Sequence, residues 1–203
     1  MSARPEDQAT SSSTIENEGS ERAPAETKEL EQLLDVGNKI IDQALDLIDN
    51  SLTSDEQLAF SSKFLPGSTI GKHLRHARDH FALLFDCVAA PPPYNLNYDK
   101  RSRNTPMETG RAAAREALED TKQQMANLIP RMQLNAPLTL NAVTPYEQTF
   151  QSTVGRELWF AGLHAIHHWS MVRVIAGELG MELDEHFGYA PSTLVAKGMA
   201  SKM

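Results

Sequence analysis

Apolar positions recur at helical spacing in four long stretches of this chain, separated by segments rich in proline, glycine and serine. The first runs from about Glu26 to Asn50, with Leu30, Leu33, Leu34, Gly37, Ile40, Ile41, Ala44, Leu47 and Ile48 on one face and Asp35, Asp42, Asp46 and Asp49 on the wet one. The second runs from about Thr69 to Ala89, after a Pro66-Gly67 turn in which Ser68 reads as the N-cap. Ile70, Leu74, Ala77, Phe81, Leu84 and Val88 form its apolar face, Arg75 and Arg78 turn to solvent, and Pro91-Pro92-Pro93 stops it. The third, from about Pro106 to Leu128, rests on alanine and glutamate propensity. The fourth, Gly155 to Gly180, carries Glu157, Phe160, Ala161, His164, His168, Met171, Val172, Ile175 and Leu179 on one stripe.

Four such helices predict an all-α fold, a four-helix bundle spanning residues 28–195. Between the third and fourth helices, Met132, Leu134, Leu138 and Leu140 alternate weakly about Asn135-Ala136, which admits one short β-hairpin. Residues 1–27 hold few large apolar groups and read as a disordered acidic tail, and 196–203 as a C-terminal tail. The segment Phe187–Leu194 is apolar enough to pack back across the bundle.

The chain has 203 residues and a net charge of −8, which disfavours nucleic acid and anionic membrane as partners and leaves a small molecule. A single cysteine, Cys87, excludes an internal disulfide framework and fits a reducing, cytoplasmic setting. The final Ser201-Lys202-Met203 is close to a peroxisomal address, the alternative location.

Six of the seven histidines change the picture more than charge does, because they fall in two clusters on the second and fourth helices. His164 and His168 stand one turn apart and can aim at one point, as helical His-x-x-x-His pairs do for metal ions. A pair of hydrogen-bonded core histidines is the simpler alternative. His73, His76 and His80 lie within about 60° of one another on the second helix, so any of them can supply a third nitrogen. No histidine has Glu three positions before it, and His-Glu-x-x-His is absent, so neither a carboxylate-bridged pair of ions nor a zinc-protease site is indicated. A mononuclear centre of three imidazoles with an open position remains. His80 and His167 are then candidates for a fourth ligand, a general base or a hydrogen-bonded support. Glu157, two turns before His164, is either a proton acceptor, an anchor, or a first-turn carboxylate favoured by the helix dipole. On the long 91–106 loop, Arg101 and Arg103 can hold a carboxylate or phosphate.

Residues 28–195 resemble the DinB/YfiT-like superfamily of metalloenzyme bundles. The likeness is carried by Ser-Thr-Ile-Gly-Lys-His-Leu-Arg-His76-x-x-x-His80-Phe81, Tyr98-Asp-x-Arg-x-Arg103, Gly155-Arg-Glu-Leu158 and Phe187-Gly-x-Ala-Pro-Ser-Thr-Leu194. The resemblance implies up-down-down-up topology and a divalent ion, zinc or nickel, held by His76, His164 and His168. His76 is singled out because Asp79 follows it by three residues. It also implies an enzyme of transferase or hydrolase type acting through activated water or a low-molecular-weight thiol, whose carboxylates Arg101 and Arg103 would hold. Where many members continue Arg-Gly-Gln after the last ligand, this chain has Trp169-Ser170-Met171. A non-catalytic metal-binding protein and a dimeric stress-response bundle are the alternatives.

Overall fold

A computed structural model describes residues 24–198. Most of the expected acidic tail, and Ser201-Lys202-Met203, lie outside the described residues. The chain is mainly helical, with a small three-stranded sheet. The helices are α1 (Pro24–Asp46), α2 (Asp55–Ala59), α3 (Ile70–Ala89), α4 (Arg111–Leu128), α5 (Val154–Glu178) and α6 (Pro191–Ala196); the strands are β1 (Tyr94–Leu96), β2 (Pro137–Ala142) and β3 (Gln148–Thr153). α3 packs on α5 and α4, and α1 closes the other side against the same two helices.

Burial follows the apolar periodicity on α1 and α3, where Ile40, Ile41, Ala44, Leu74, Ala77, Phe81 and Leu84 are almost fully enclosed. On α5 the core face lies to one side of the expected stripe: Leu158, Ala161, Ala165, Trp169, Val172 and Ala176 are buried, while His164 and His168 sit half-buried at its edge. Trp169 is the reason. Its indole fills the space against α1 and Nε1 donates to the Ile40 carbonyl at 2.9 Å, satisfying a buried donor. Phe187 stacks on that indole, and Leu194 of α6 is buried, so the 187–194 segment does pack back onto the helices.

Other expectations are corrected. Helix α1 begins at Pro24, so the last residues assigned to the tail are helical, and the third helix is a 3-10 turn at Pro106–Glu108 before Arg111–Leu128. The α3 N-cap is Thr69, whose hydroxyl accepts from the Lys72 amide at 3.0 Å, and not Ser68. The hairpin pairs Pro137–Ala142 with Gln148–Thr153, so it turns at 143–147 rather than at Asn135-Ala136, and β1 adds a parallel third strand. Arg75 is buried instead of facing solvent: Nε binds Glu108 at 3.0 Å and an Nη binds Asp79 at 3.2 Å. Two carboxylates offset the desolvation of that guanidinium. Arg78 is half-buried, donating to Thr121 Oγ1 at 3.1 Å.

Gly71 marks the tightest approach, since a Cβ there would stand 2.0 Å from the Glu108 carbonyl oxygen. Gly177, also on a helix, has open space at the same place. Gly71→Ala should therefore destabilise the protein by about 2 kcal/mol or more, because backbone must move. Gly177→Ala should stabilise by about 0.5 kcal/mol through helix propensity. Urea unfolding of the two variants beside wild type checks the opposite signs.

Candidate metal centre

Helices α3 and α5 bring six histidines within ring contact. His164 Nε2 lies 3.1 Å from His76 Nε2 and 3.2 Å from His168 Nε2. One nitrogen from each of the three rings falls within 4.8 Å of the others. A neutral imidazole nitrogen carries either one proton or one lone pair, so His164 Nε2 cannot make good hydrogen bonds of the same kind to both neighbours. An ion at the common point resolves that conflict. At metal–nitrogen distances of 2.0–2.1 Å, a tetrahedral site separates its nitrogens by about 3.3 Å. The separations here are close to that edge length, and the residues fit a divalent ion.

The electrostatics agree. Burial and the neighbouring imidazoles hold His76 down to about 3, His164 to about 4 and His168 to about 2, with Arg101 adding to the effect on the first two. All three are neutral near pH 7 and offer lone pairs. Arg101 is a loop arginine whose charge acts on these rings; Arg103, on the same loop, is exposed.

The two extra histidines differ in kind. His80 is buried, its ring 3.9 Å from that of His164. Its Nδ1 lies 3.0 Å from the His76 carbonyl oxygen, which can only accept, so Nδ1 carries the proton and Nε2 the lone pair. His80 is also held below its ordinary value, chiefly by burial. His167 is exposed at the rim, its ring 5.3 Å from that of His168. His73, the remaining candidate of the α3 face, is outside the three-nitrogen cluster and contacts His168 through Nδ1 at 2.7 Å. Asp79, three residues after His76, is engaged by Arg75.

Glu157 is fully buried and its carboxylate is saturated: Tyr98 donates to Oε2 at 3.0 Å, and Ser152 and Arg156 to Oε1 at 2.5 and 2.7 Å. These three donors hold it as an anchor. What it anchors is Tyr98, which stacks on His80 with ring centres 4.7 Å apart. Burial and the Glu157 charge push the Tyr98 hydroxyl well above its ordinary value, so it stays a donor. Phe160 lies against both Tyr98 and His164 and completes an aromatic wall beside the cluster. The Tyr98 loop is fixed by Asp99, which accepts from the Val143 amide at 2.7 Å and the Thr144 hydroxyl at 2.7 Å beyond β2. Neither Tyr98 nor Phe160 is singled out as a site residue by sequence reasoning; the Tyr-Asp-x-Arg-x-Arg run was the available signal for the first.

A model of the DinB superfamily matches residues 40–172, about two thirds of the chain. The chain belongs to the DinB superfamily. A protein of Rhizopus delemar named FK506-binding protein 5 is 37% identical over 159 residues, covering 76% of this DinB chain and 35% of that protein. The chain thus spans about a third of the length of that relative. Among the described residues, no helix is long and apolar enough to cross a membrane.

The lowered imidazole values give the metal-free DinB protein a definite pH response. An unfolded histidine titrates near 6.5, so below that pH the unfolded chain binds protons that the folded cluster refuses. Stability should therefore fall as pH drops through 6.5 toward 4. Urea midpoints at about pH 7.5 and 5 measure this, and a His76→Gln/His164→Gln/His168→Gln variant should show a shallower dependence than wild type.

Proposed function

We propose that this DinB protein is a metal-dependent enzyme acting on a small molecule, with His76, His164 and His168 as the ligands of one divalent ion, zinc or nickel. The observation that carries this reading is the sharing of His164 Nε2 between two other imidazole nitrogens at 3.1 and 3.2 Å. We read the arrangement of α1, α3, α4 and α5 as the up-down-down-up bundle of the superfamily, with the ligands on facing helices.

A divalent ion in this position supplies Lewis acidity, lowering the pKa of water or a thiol that shares it. The chain's own residues then divide the remaining work. His80, with its proton committed to the His76 carbonyl, keeps an Nε2 lone pair for accepting a proton from the reacting group. Tyr98 and Phe160 exclude water from one side and offer flat apolar surface to a ligand. Arg101 is exposed and acts electrostatically on the cluster, which suits an anionic ligand such as the carboxylate of a low-molecular-weight thiol. Arg103, also exposed, is the second candidate for the same role, and exposed His167 would pass protons to solvent. FK506 binding is not carried over from the Rhizopus relative, of which the chain matches only about a third.

Elemental mass spectrometry of untagged protein, purified without nickel resin, tests the reading. About one equivalent of ion is expected in wild type, and its loss in His164→Ala/His168→Ala with helicity retained. No uptake by wild type after incubation with zinc or nickel would overturn it. For the loaded protein, a thiol-transfer screen should show Arg101→Ala raising KM for an anionic thiol by about tenfold, with a smaller change in kcat. A site closed by a fourth protein ligand and inert in that screen would leave a metal-binding protein without catalysis.

A further inference from the structure

We propose that His73 is a positioning residue for this centre: its Nδ1 accepts the Nδ1 proton of His168 and so keeps the His168 Nε2 lone pair on the common point. The inference rests on the reading of His168 as a metal ligand.

The two Nδ1 atoms are 2.7 Å apart, which requires one proton between them. With both rings neutral, two arrangements satisfy the contact. In the first, His168 donates from Nδ1, its Nε2 holds a lone pair beside His164 Nε2, and His73 carries its own proton on Nε2. In the second, His73 donates from Nδ1, and His168 must carry its proton on Nε2, where it faces His164 Nε2 at 3.2 Å. Only the first can ligate an ion through His168 Nε2. Conversion of the second to the first moves the shared proton from His73 to His168, releases one proton from His168 Nε2 and takes up one at His73 Nε2. No net charge is gained. Each histidine remains neutral throughout.

The surroundings of His73 make this contact its evident role. Its Nε2 is buried and has no hydrogen-bond partner, so the ring is not held in place from its other end. The first turn of α3, capped by Thr69, fixes the backbone of His73 three residues before His76, and the two rings approach His168 from the same helix. An unsatisfied buried nitrogen costs stability, and a leucine would fill the space without that cost. The 2.7 Å contact is the compensating interaction. Hydrogen-bonded partners of metal-binding histidines fix tautomer and ring orientation in just this manner.

Zinc affinity, measured by competition with a chromophoric chelator, tests the assignment on full-length protein. His73→Leu should weaken zinc binding by about 10- to 100-fold. His73→Gln, whose amide oxygen can accept the His168 proton, should restore most of the loss. Thermal melts of the metal-free variants separate this from misfolding. Nitrogen-15 shifts of His168 in zinc-loaded wild type should show Nδ1 protonated and Nε2 bound, a readout independent of either variant. A His73→Leu protein that binds zinc as tightly as wild type, a glutamine variant no better than leucine, or an unprotonated His168 Nδ1 would overturn the proposal while leaving the ion site standing. Failure of wild type to bind zinc or nickel would overturn both.

Discussion

Imidazoles packed between two helices can share that space only while they are neutral, and the meeting of α3 and α5 imposes this condition on the whole protein. Each proton added to the cluster would set a charge within a few ångströms of two or three others, in surroundings that solvate it poorly. The α3–α5 contact is nonetheless broad and apolar outside the cluster, with Phe81, Leu84, Ala161, Ala165 and Val172 among its enclosed residues. That apolar packing holds the rings at separations which hydrogen bonds alone satisfy badly. The lone pairs converge because the core on either side leaves the helices no other distance.

Around this pair, the rest of the chain supplies support of two kinds. Beneath the cluster, α1 receives Trp169 and fixes the rotation of α5, so that one edge rather than the centre of the helix faces α3. Beside it, the buried Arg75–Glu108–Asp79 group ties α3 to the turn before α4. One guanidinium there faces two carboxylates, and both are bound to it rather than to a histidine. Glu157 is held in turn by Tyr98, Ser152 and Arg156. These three carboxylates are thus engaged by other donors.

Periodicity in the sequence reveals the long helices and the coincidence of two histidine clusters because both are local properties, readable at intervals of three and four residues. What escapes is set by distant partners. Arginine at position 75 reads as a surface residue until Glu108, thirty-three positions away, is known to lie beside it. Thr69 and Ser68 are equally good caps, and only the geometry of the turn chooses between them. The five-residue helix at Asp55–Ala59 is too short to show a repeat. The parallel pairing of Tyr94–Leu96 with Leu138–Leu140 joins segments more than forty residues apart. Within the site, the histidines of the α3 face cannot be ranked from a helical wheel, since His73, His76 and His80 share it; in the structure they separate into a neighbour of His164 Nε2, a partner of His168 and a ring turned onto the His76 carbonyl.

The attachment of Asp99 to Val143 and Thr144 has an evolutionary consequence. The histidines stand on long helices whose spacing is fixed by the core, whereas Tyr98 and Arg101 stand on a loop whose position is set by the end of a surface hairpin. Changes in the 143–147 turn of that hairpin can reshape the approach to the cluster while the α3–α5 packing stays as it is. The approach to the cluster can therefore vary separately from the helices that carry its histidines.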